Sequence, residues 1–367
     1  MNQKTIHTLG AGLVVLLWAA LSLLLWFGPG QEISEAERRP LAQMPEITAD
    51  SLLDGSFMGD FEEFTLDQFP LRDSFRRLKS LFHYYVLGQK DNNGIYLAEG
   101  FAVKQEYPLD RASVDHACNR FAHLYEKYLK DTGSRIHMAI VPDKGYYLAE
   151  ENGYLSMDYE KLFSKVEAGM PWATHLDITD CLTLEDDYRT DTHWRQEKLL
   201  PVAETLCAAL GVRAPDGLTP TALERPFYGV YYGQAALPME PETMYLMESD
   251  LLSGCTVKGY DNMGNEVQRP IYDPQDLQAK DQYDIYLSGM EGILTIENPN
   301  AKTDRELVIF RDSFGSSLAP LLVQDYKTVT LVDLRYVQIP ALSRFVSFEG
   351  ADVLFACSAL VLNKNLI

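Results

Sequence analysis

Hydrophobic positions along the chain form three kinds of pattern. Residues 9–27 are an uncharged apolar run, and at about 1.5 Å of helical rise per residue they approach the ~30 Å of a bilayer core. From residue 51 to 87, apolar side chains recur at three- and four-residue steps, which predicts amphipathic helices. Short apolar runs between polar loops follow later in the chain and predict buried strands.

The apolar run predicts a transmembrane signal-anchor over residues 9–28. Residues 1–8, with Lys4, would then lie in the cytoplasm by the positive-inside rule, and the rest of the chain outside. A cleaved signal peptide is the alternative. The run is longer than a typical signal core and no Ala-x-Ala-like cleavage site follows it, so an uncleaved anchor is favoured.

The remaining chain divides into three predicted parts. Residues 29–50 are polar, with Pro40 and Pro45, and are interpreted as a stalk. Residues 51–100 are expected to form a helical extension that packs on the core; one of its helices begins near Asp73, its predicted N-cap. Residues 101–367 are expected to form an α/β domain, with a β-rich insertion at about 212–284, where proline, glycine and turn dipeptides dominate.

Strands and helices alternate within that last part. Their order predicts a parallel sheet with helices on both faces. Pro201 is expected to kink one of the helices. The predicted strands are residues 135–141, 307–310, 328–332 and 352–356, and the predicted helices are residues 109–132, 158–168, 195–210 and 315–322.

Composition limits the chemistry. The chain has 367 residues, with 32 basic and 53 acidic ones, for a formal charge of −21, which excludes phosphate neutralisation and therefore nucleic acid. Five cysteines without CxxC spacing indicate no metal site and leave disulfide pairing open. No phosphate-binding loop or dinucleotide fingerprint is present, and no cofactor is expected.

Two segments suggest nucleophilic catalysis. Asp191 and His193 are two positions apart, and Ser313 follows an apolar strand. Acyl transfer through a serine needs these three groups, the acid orienting the base and the base activating the nucleophile. The N–H groups of the helix after Ser313 could then stabilise an oxyanion. Alternatively, Ser313 and Asp191 are only helix caps.

Four other side chains are candidates for substrate binding. Arg335 and Lys144 each follow a predicted strand; Arg335 is alternatively one partner of a salt bridge. Tyr228 and Tyr232, with Tyr231 between them, could stack on sugar rings or form the core of a hairpin.

Six stretches, taken in order, carry a further signal. They are residues 67–72 (DQFPLR), 142–144 (PDK), 188–194 (YRTDTHW), 227–232 (FYGVYY), 311–314 (RDSF) and 333–336 (DLRY). Together they resemble the DHHW proteins, relatives of the periplasmic alginate O-acetyltransferases, and residues 188–194 resemble the signature of that family. As an ordered set they are specific, although each alone is not.

The resemblance implies a circularly permuted SGNH-hydrolase-like domain, flavodoxin-like in outline, over residues 101–367. It also implies Ser313 as nucleophile, His193 as general base and Asp191 as the residue that orients it. One position departs from the family name, because Thr192 stands where a histidine is expected.

By the same resemblance, the enzyme would lie outside the cytoplasm and acetylate a polysaccharide, with acetyl groups supplied by a multi-pass membrane acyltransferase. Two alternatives stay open. One is a carbohydrate O-acetylesterase that uses the same three residues. The other is a non-enzymatic surface protein that binds glycan.

Overall fold

The computed structural model describes residues 3–261, 264–275, 281–289 and 291–367. The chain forms two compact units. The first comprises Met1–Asn93 and Tyr232–Pro238, and the second comprises Gly94–Tyr231 and Met239–Ile367.

The first unit is mainly helical. Its elements are α1 (Gln3–Phe27), β1 (Ile33–Ser34) paired with β2 (Arg39–Pro40), α2 (Ala49–Leu53), α3 (Ser56–Asp67), and α4 (Arg72–Leu81), which continues as a π-helical turn (Phe82–Val86). Within the described residues, α1 alone is long and apolar enough to cross a membrane, and none of its residues is buried. The predicted N-cap at Asp73 is wrong, because Leu71 occupies that position with φ 60°.

The elements from residue 94 onward are a mixture of strands and helices. In chain order they are β3 (Ile95–Ala98), β4 (Phe101–Lys104), α5 (Arg111–Leu124), β5 (Ile136–Val141), α6 (Lys144–Leu148), α7 (Tyr159–Gly169), β6 (Thr174–Leu176), α8 (Leu200–Leu210), β7 (Thr219–Ala222), α9 (Val230–Ala235), β8 (Tyr245–Glu248), α10 (Asp250–Ser253), β9 (Thr256–Tyr260), β10 (Glu266–Arg269), β11 (Ile293–Glu297), β12 (Glu306–Arg311), α11 (Phe314–Leu318), β13 (Thr328–Val332), β14 (Asp352–Ser358) and α12 (Ala359–Leu362).

An eight-stranded sheet organises the second unit, in the order β10-β9-β11-β13-β12-β14-β5-β6. Five neighbouring strands, β13, β12, β14, β5 and β6, are parallel to one another. The other three, β11, β9 and β10, pair antiparallel with their neighbours. The predicted parallel sheet is therefore confirmed. The region expected to hold an insertion contributes β9 and β10 to this sheet, while β7 and β8 form a separate pair.

The central strands are buried on both faces. In β12, Val308 and Phe310 pack into one apolar cluster together with residues of α5 and α7. Leu307 and Ile309 pack into a second cluster with residues of α8 and α11. Since successive side chains of a strand point to opposite faces, helices cover both sides of the sheet, as the sequence predicts.

Two local predictions need correction. Pro201 lies in the first turn of α8, where the missing N–H has no intrahelical partner to lose, so it starts the helix instead of kinking it. The aromatic-glycine segment at residues 227–232 is not a hairpin, because α9 begins at Val230.

All five cysteines are free thiols. Cys207 and Cys357 are buried, as expected for small apolar side chains. Burial raises the pKa of the Cys207 thiol to about 12, which keeps it protonated and unreactive.

Candidate active site

Ser313 follows β12 at the carboxyl end of the parallel strands. The preceding residue, Asp312, fixes this corner: its Oδ1 accepts from the Phe314 N–H at 3.0 Å and its Oδ2 from the Ser358 N–H at 2.7 Å. Ser358 ends the neighbouring β14. Ser313 takes the N-cap position of α11, but its side chain makes no capping hydrogen bond. The hydroxyl therefore points elsewhere.

The hydroxyl of Ser313 lies against His193. The two residues are 120 positions apart, yet Ser313 Oγ is 2.7 Å from His193 Nε2. On the other side of the ring, His193 Nδ1 lies 2.6 Å from Asp191 Oδ1. A carboxylate only accepts, so Nδ1 carries the proton and Nε2 is left to accept from the serine. The three side chains form one continuous relay.

Asp191 is completely buried, and N–H groups of the chain hold its carboxylate in place. Oδ1 accepts from the side chain of His193 and also from its backbone N–H at 3.1 Å. Oδ2 accepts from the Val230 N–H at 2.7 Å. Buried polar groups need such partners, and here the partners also fix the direction of the carboxylate toward the imidazole.

Gly229 allows this close approach of two backbone segments. A Cβ added there would lie 2.3 Å from the Cβ and 2.4 Å from the Cα of Asp191. The Gly229 N–H donates to Thr190 Oγ1 at 3.0 Å. Glycine is needed at this position because any larger residue would overlap the acid of the relay.

Glu242 holds the loop just before Asp191. Its carboxylate accepts from the Arg189 N–H and the Thr190 N–H, both at 2.8 Å, and from Thr190 Oγ1 at 2.7 Å. Loops that carry catalytic groups need this kind of support, since small displacements weaken catalysis strongly. Glu242 lies 52 positions from Thr190, and no local motif in the sequence marks it.

Tyr283 stacks on His193. The ring centroids are 3.8 Å apart and the planes differ by 6°. The Tyr283 hydroxyl lies 2.7 Å from Ser317 Oγ, which also accepts from the Trp194 indole N–H at 2.9 Å. These contacts restrict the imidazole to one plane. Tyr283 too was missed, because it lies 90 positions from His193.

Lys144 supports the loop that carries Asp191 by binding its backbone carbonyl groups. It is buried, and its ammonium donates to the carbonyl oxygens of Tyr188 (2.8 Å), Asp191 (2.6 Å) and Arg189 (3.3 Å). Burial lowers the pKa of Lys144 below its usual range. With all three protons directed at carbonyls, the geometry favours a loop-supporting role over the predicted contact with substrate.

Arg335 is one partner of an ion pair, the alternative considered from the sequence. Its Nε and Nη2 donate to Asp333 at 2.9 Å and 2.6 Å, and Asp333 is itself buried beside Arg311. The hydrogen bond to Asp333 and its negative charge keep the pKa of Arg335 above its usual range, against the cost of burial. A role in substrate binding stays a prediction.

The three tyrosines predicted to stack on sugar have different environments. Tyr228 is exposed, as a stacking residue must be. Tyr231 is buried, and its hydroxyl donates to Thr192 Oγ1 at 3.0 Å, so it cannot present a face to a sugar. Tyr232 belongs to the first compact unit, where Arg77 donates to its hydroxyl at 3.3 Å.

The helix after Ser313 offers fewer N–H groups for stabilising an oxyanion than the sequence predicts. The helix α11 has only five residues. The Phe314 N–H is bound to Asp312 Oδ1, and the Gly315 N–H donates to the Asp312 carbonyl at 3.1 Å. These two groups are therefore not directed at an oxyanion, contrary to the sequence-based expectation.

No protein-family model matches the sequence, and no curated protein sequence is detectably similar. Solved structures do resemble it. A DHHW family protein from Eubacterium siraeum superposes with a TM-score of 0.56 at 19% identity, over 75% of this chain and 94% of its own. PatB1 from Bacillus cereus superposes with a TM-score of 0.59 at 16% identity, over 74% of this chain and 98% of its own.

A second structure of PatB1, solved with a sulfonyl adduct, superposes with a TM-score of 0.58 at 15% identity, over 74% of this chain and 96% of its own. The chain shares the fold of these proteins. The similarity therefore confirms the SGNH-like α/β architecture that the ordered motifs implied, and a DHHW family protein is among the structures that resemble it.

Proposed function

We propose that this protein is a serine acyltransferase that moves an acetyl group through an acetyl-Ser313 intermediate. The observation that carries the proposal is the relay from Asp191 through His193 to Ser313, with contacts of 2.6 Å and 2.7 Å. Those are the distances expected of a nucleophile, its base and the group that orients the base.

In the first half-reaction, Ser313 Oγ attacks the carbonyl carbon of an acetyl donor. Its proton passes to His193 Nε2, and Asp191 stabilises the imidazolium that forms. The tetrahedral adduct then collapses, the bond to the leaving oxygen or sulfur breaks, and His193 returns the proton to that leaving atom. Acetyl-Ser313 remains.

The second half-reaction reverses these roles. A hydroxyl group of the acceptor loses its proton to His193 Nε2 as its oxygen attacks the acetyl carbonyl. The Ser313 Oγ–C bond breaks, and His193 returns the proton to the serine. The products are an acetylated acceptor and the free enzyme.

A polysaccharide hydroxyl is the proposed acceptor, and a multi-pass membrane acyltransferase the proposed source of acetyl groups. Both follow from the resemblance of the ordered motifs to the DHHW proteins. The apolar helix α1 supports membrane anchoring with the α/β domain outside the cytoplasm. The sulfonyl adduct carried by PatB1 suggests a reagent for this chain, since an activated serine attacks the sulfur of a sulfonyl halide and displaces the halide.

The test is to trap the intermediate. The full chain in detergent is incubated with p-nitrophenyl acetate, quenched in acid and analysed by intact mass and peptide mapping. We expect one acetyl group on Ser313, which is absent in Ser313→Ala and strongly reduced in His193→Gln. Ser74→Ala, which removes an exposed serine of α4, is the matched control and should be acetylated like the native chain.

Adding a soluble oligosaccharide then separates the outcomes. Transfer of the acetyl group to sugar supports the transferase, whereas release as acetate alone indicates an esterase. Undiminished acetylation of Ser313→Ala rejects the assignment. A folded protein that forms no adduct but binds the oligosaccharide would favour the non-enzymatic alternative.

A further inference from the structure

The helix α4 and the turn that continues it expose their apolar side. Leu71, Phe75, Leu78, Phe82 and Tyr85 recur at alternating steps of four and three residues, which places them along one side of a helix. Each of these side chains is between 46% and 70% exposed. Leu81, Val86 and Leu87 are also exposed beside them. We call these eight residues the outer face.

The opposite side of α4 is held by polar groups. Its buried residue is Ser80, whose hydroxyl donates to the Arg76 carbonyl at 2.9 Å and accepts from Asn92 at 2.7 Å. Arg72 pairs with Glu37 at 2.6 Å, and Arg76 donates to the Gly233 carbonyl at 3.0 Å. All of these partners belong to the first compact unit.

This arrangement is the inverse of a helix in a water-soluble domain. Such a helix buries its apolar stripe and directs its charges outward. A contiguous exposed apolar surface marks an interaction site, and the polar contacts on the inner side leave the outer face free to make one. Phe75 also meets the ring of Phe69 in the same unit, with centroids 5.5 Å apart, but the exposed part of the outer face is directed away from its own unit.

Charge indicates what that partner is. From Arg72 to Lys90 inclusive, the chain has five basic residues and one acidic residue, although its overall charge is −21. Two of the five, Arg72 and Arg76, are held on the inner side. Arg77 and Lys79 are exposed on α4. Apolar and aromatic residues flanked by basic ones are typical of helices that lie in the headgroup region of an anionic bilayer.

The rest of the first unit is consistent with a membrane as partner. It contains α1, the membrane-length helix without buried residues. Near the end of α1, the Trp26 ring lies 5.8 Å from that of Phe61 in α3, so the end of a membrane-spanning helix and the helices that follow it are in contact. Phe75 of α4 lines a cavity together with Trp18 of α1, so α4 also lies beside the membrane-length helix.

We propose that the outer face of α4 lies in the plane of the membrane, with its apolar side chains among the acyl chains and anionic phospholipid as its partner. The inference does not depend on acyl transfer. It adds to α1 a second contact with the bilayer, which would hold the first unit in one orientation on the membrane surface.

Photo-crosslinking of the full chain tests this proposal. The photoreactive residue p-benzoylphenylalanine replaces Leu78 or Tyr85 on the outer face, or Asp73, an exposed residue on the other side of the same helix. Each variant is reconstituted in phosphatidylcholine vesicles with or without phosphatidylglycerol and irradiated. Lipid adducts are then measured by mass spectrometry. Because α1 anchors every variant equally, differences between positions report on α4.

We expect several-fold more lipid adduct at positions 78 and 85 than at 73, and a further rise with phosphatidylglycerol. The double change Arg77→Gln and Lys79→Gln should abolish that rise. Equal lipid adducts at all three positions would overturn the proposal. Crosslinks between two copies of the chain, found in place of lipid adducts at 78 and 85, would assign the outer face to self-association and overturn it as well.

Discussion

Two helices of this chain have similar apolar patterns and opposite environments. In α5, Val114, Phe121 and Leu124 recur on one side and are completely buried among residues of the sheet and α7. In α4 and the turn that continues it, Phe75, Leu78 and Phe82 recur on one side as well, but they are exposed. Periodicity therefore predicts that a helix forms and which residues share a side. It does not predict which side the protein buries.

The largest expected difference between the two compact units is in the rate of Ser313 acylation when a buried polar group of each, Asp191 or Ser80, is replaced. We expect Asp191→Asn to lower the rate of Ser313 acylation by about 10²- to 10⁴-fold, because an amide disfavours the imidazole tautomer that leaves Nε2 free. The rate of p-nitrophenol release from p-nitrophenyl acetate measures this. Ser80→Ala removes the buried hydroxyl of α4 and should leave the rate unchanged; a native rate in Asp191→Asn would remove Asp191 from the relay.

The next largest difference is expected in protein stability, when one apolar side chain of α5 or of the outer face is removed. Phe121 is fully buried and its ring centroid lies 5.0 Å from that of Phe355, so Phe121→Ala should lower the free energy of unfolding by about 3–5 kcal/mol. Phe82→Ala, on the outer face of α4, should change it by less than about 0.5 kcal/mol. Urea unfolding in detergent measures both. Equal losses would mean that the outer face packs against protein.

A buried carboxyl group of the second unit, that of Asp143, should make the stability of the protein depend on pH. Asp143 is buried and its carboxyl accepts from the Gly145 N–H at 2.7 Å and the Tyr159 hydroxyl at 2.9 Å. Burial raises the pKa of Asp143 to about 6, so the native state keeps a proton that the unfolded chain releases from about pH 4. Stability from this group is present below that pH and is lost as pH rises toward 6.

The measurement is the difference in unfolding free energy between native protein and Asp143→Asn. It should fall by about 2–3 kcal/mol between pH 4 and 6, because asparagine does not titrate. Asp73→Asn, on the exposed surface of α4, is the control. A difference that stays constant with pH would show that burial does not shift the pKa of Asp143.

The smallest difference is expected between two glycine-to-alanine substitutions, one in each compact unit, compared by stability and by acylation rate. In Gly229→Ala the new methyl group overlaps Asp191, and we expect a loss of about 1–3 kcal/mol in stability from overpacking, together with a roughly tenfold slower acylation as the acid moves from the imidazole. In Gly59→Ala, on α3, the methyl group meets nothing within 4 Å. That variant should acylate normally, and normal acylation in both would show that Asp191 tolerates the displacement.

Much of the α/β domain could be predicted because its signals are local. The strand predicted at residues 328–332 is observed as β13 (Thr328–Val332). Helix α7 (Tyr159–Gly169) differs from its prediction by one residue at each end. Short apolar runs become buried strands wherever helices cover both faces. Pro201 was misread since the same residue breaks a helix or begins one, depending on its position.

Some residues of the candidate site could also be predicted from the sequence, and others could not. Asp191, His193 and Ser313 were found from residue types, spacing and the order of the motifs, and their catalytic roles stay predictions that the acetylation experiment tests. The groups that hold them were not found. Glu242 and Tyr283 act on residues 52 and 90 positions away, and Lys144 was interpreted as a substrate contact before the structure placed its ammonium among backbone carbonyls.

What the sequence by itself determined is therefore the set of elements and the three candidate groups for the chemistry, since spacing along a helix or strand decides which side chains share a face. Only the tertiary structure decided that the hydroxyl of Ser313 meets His193 and that α4 turns its apolar side outward. Both depend on contacts between segments far apart in the chain, and no local pattern encodes the partner that a surface will meet.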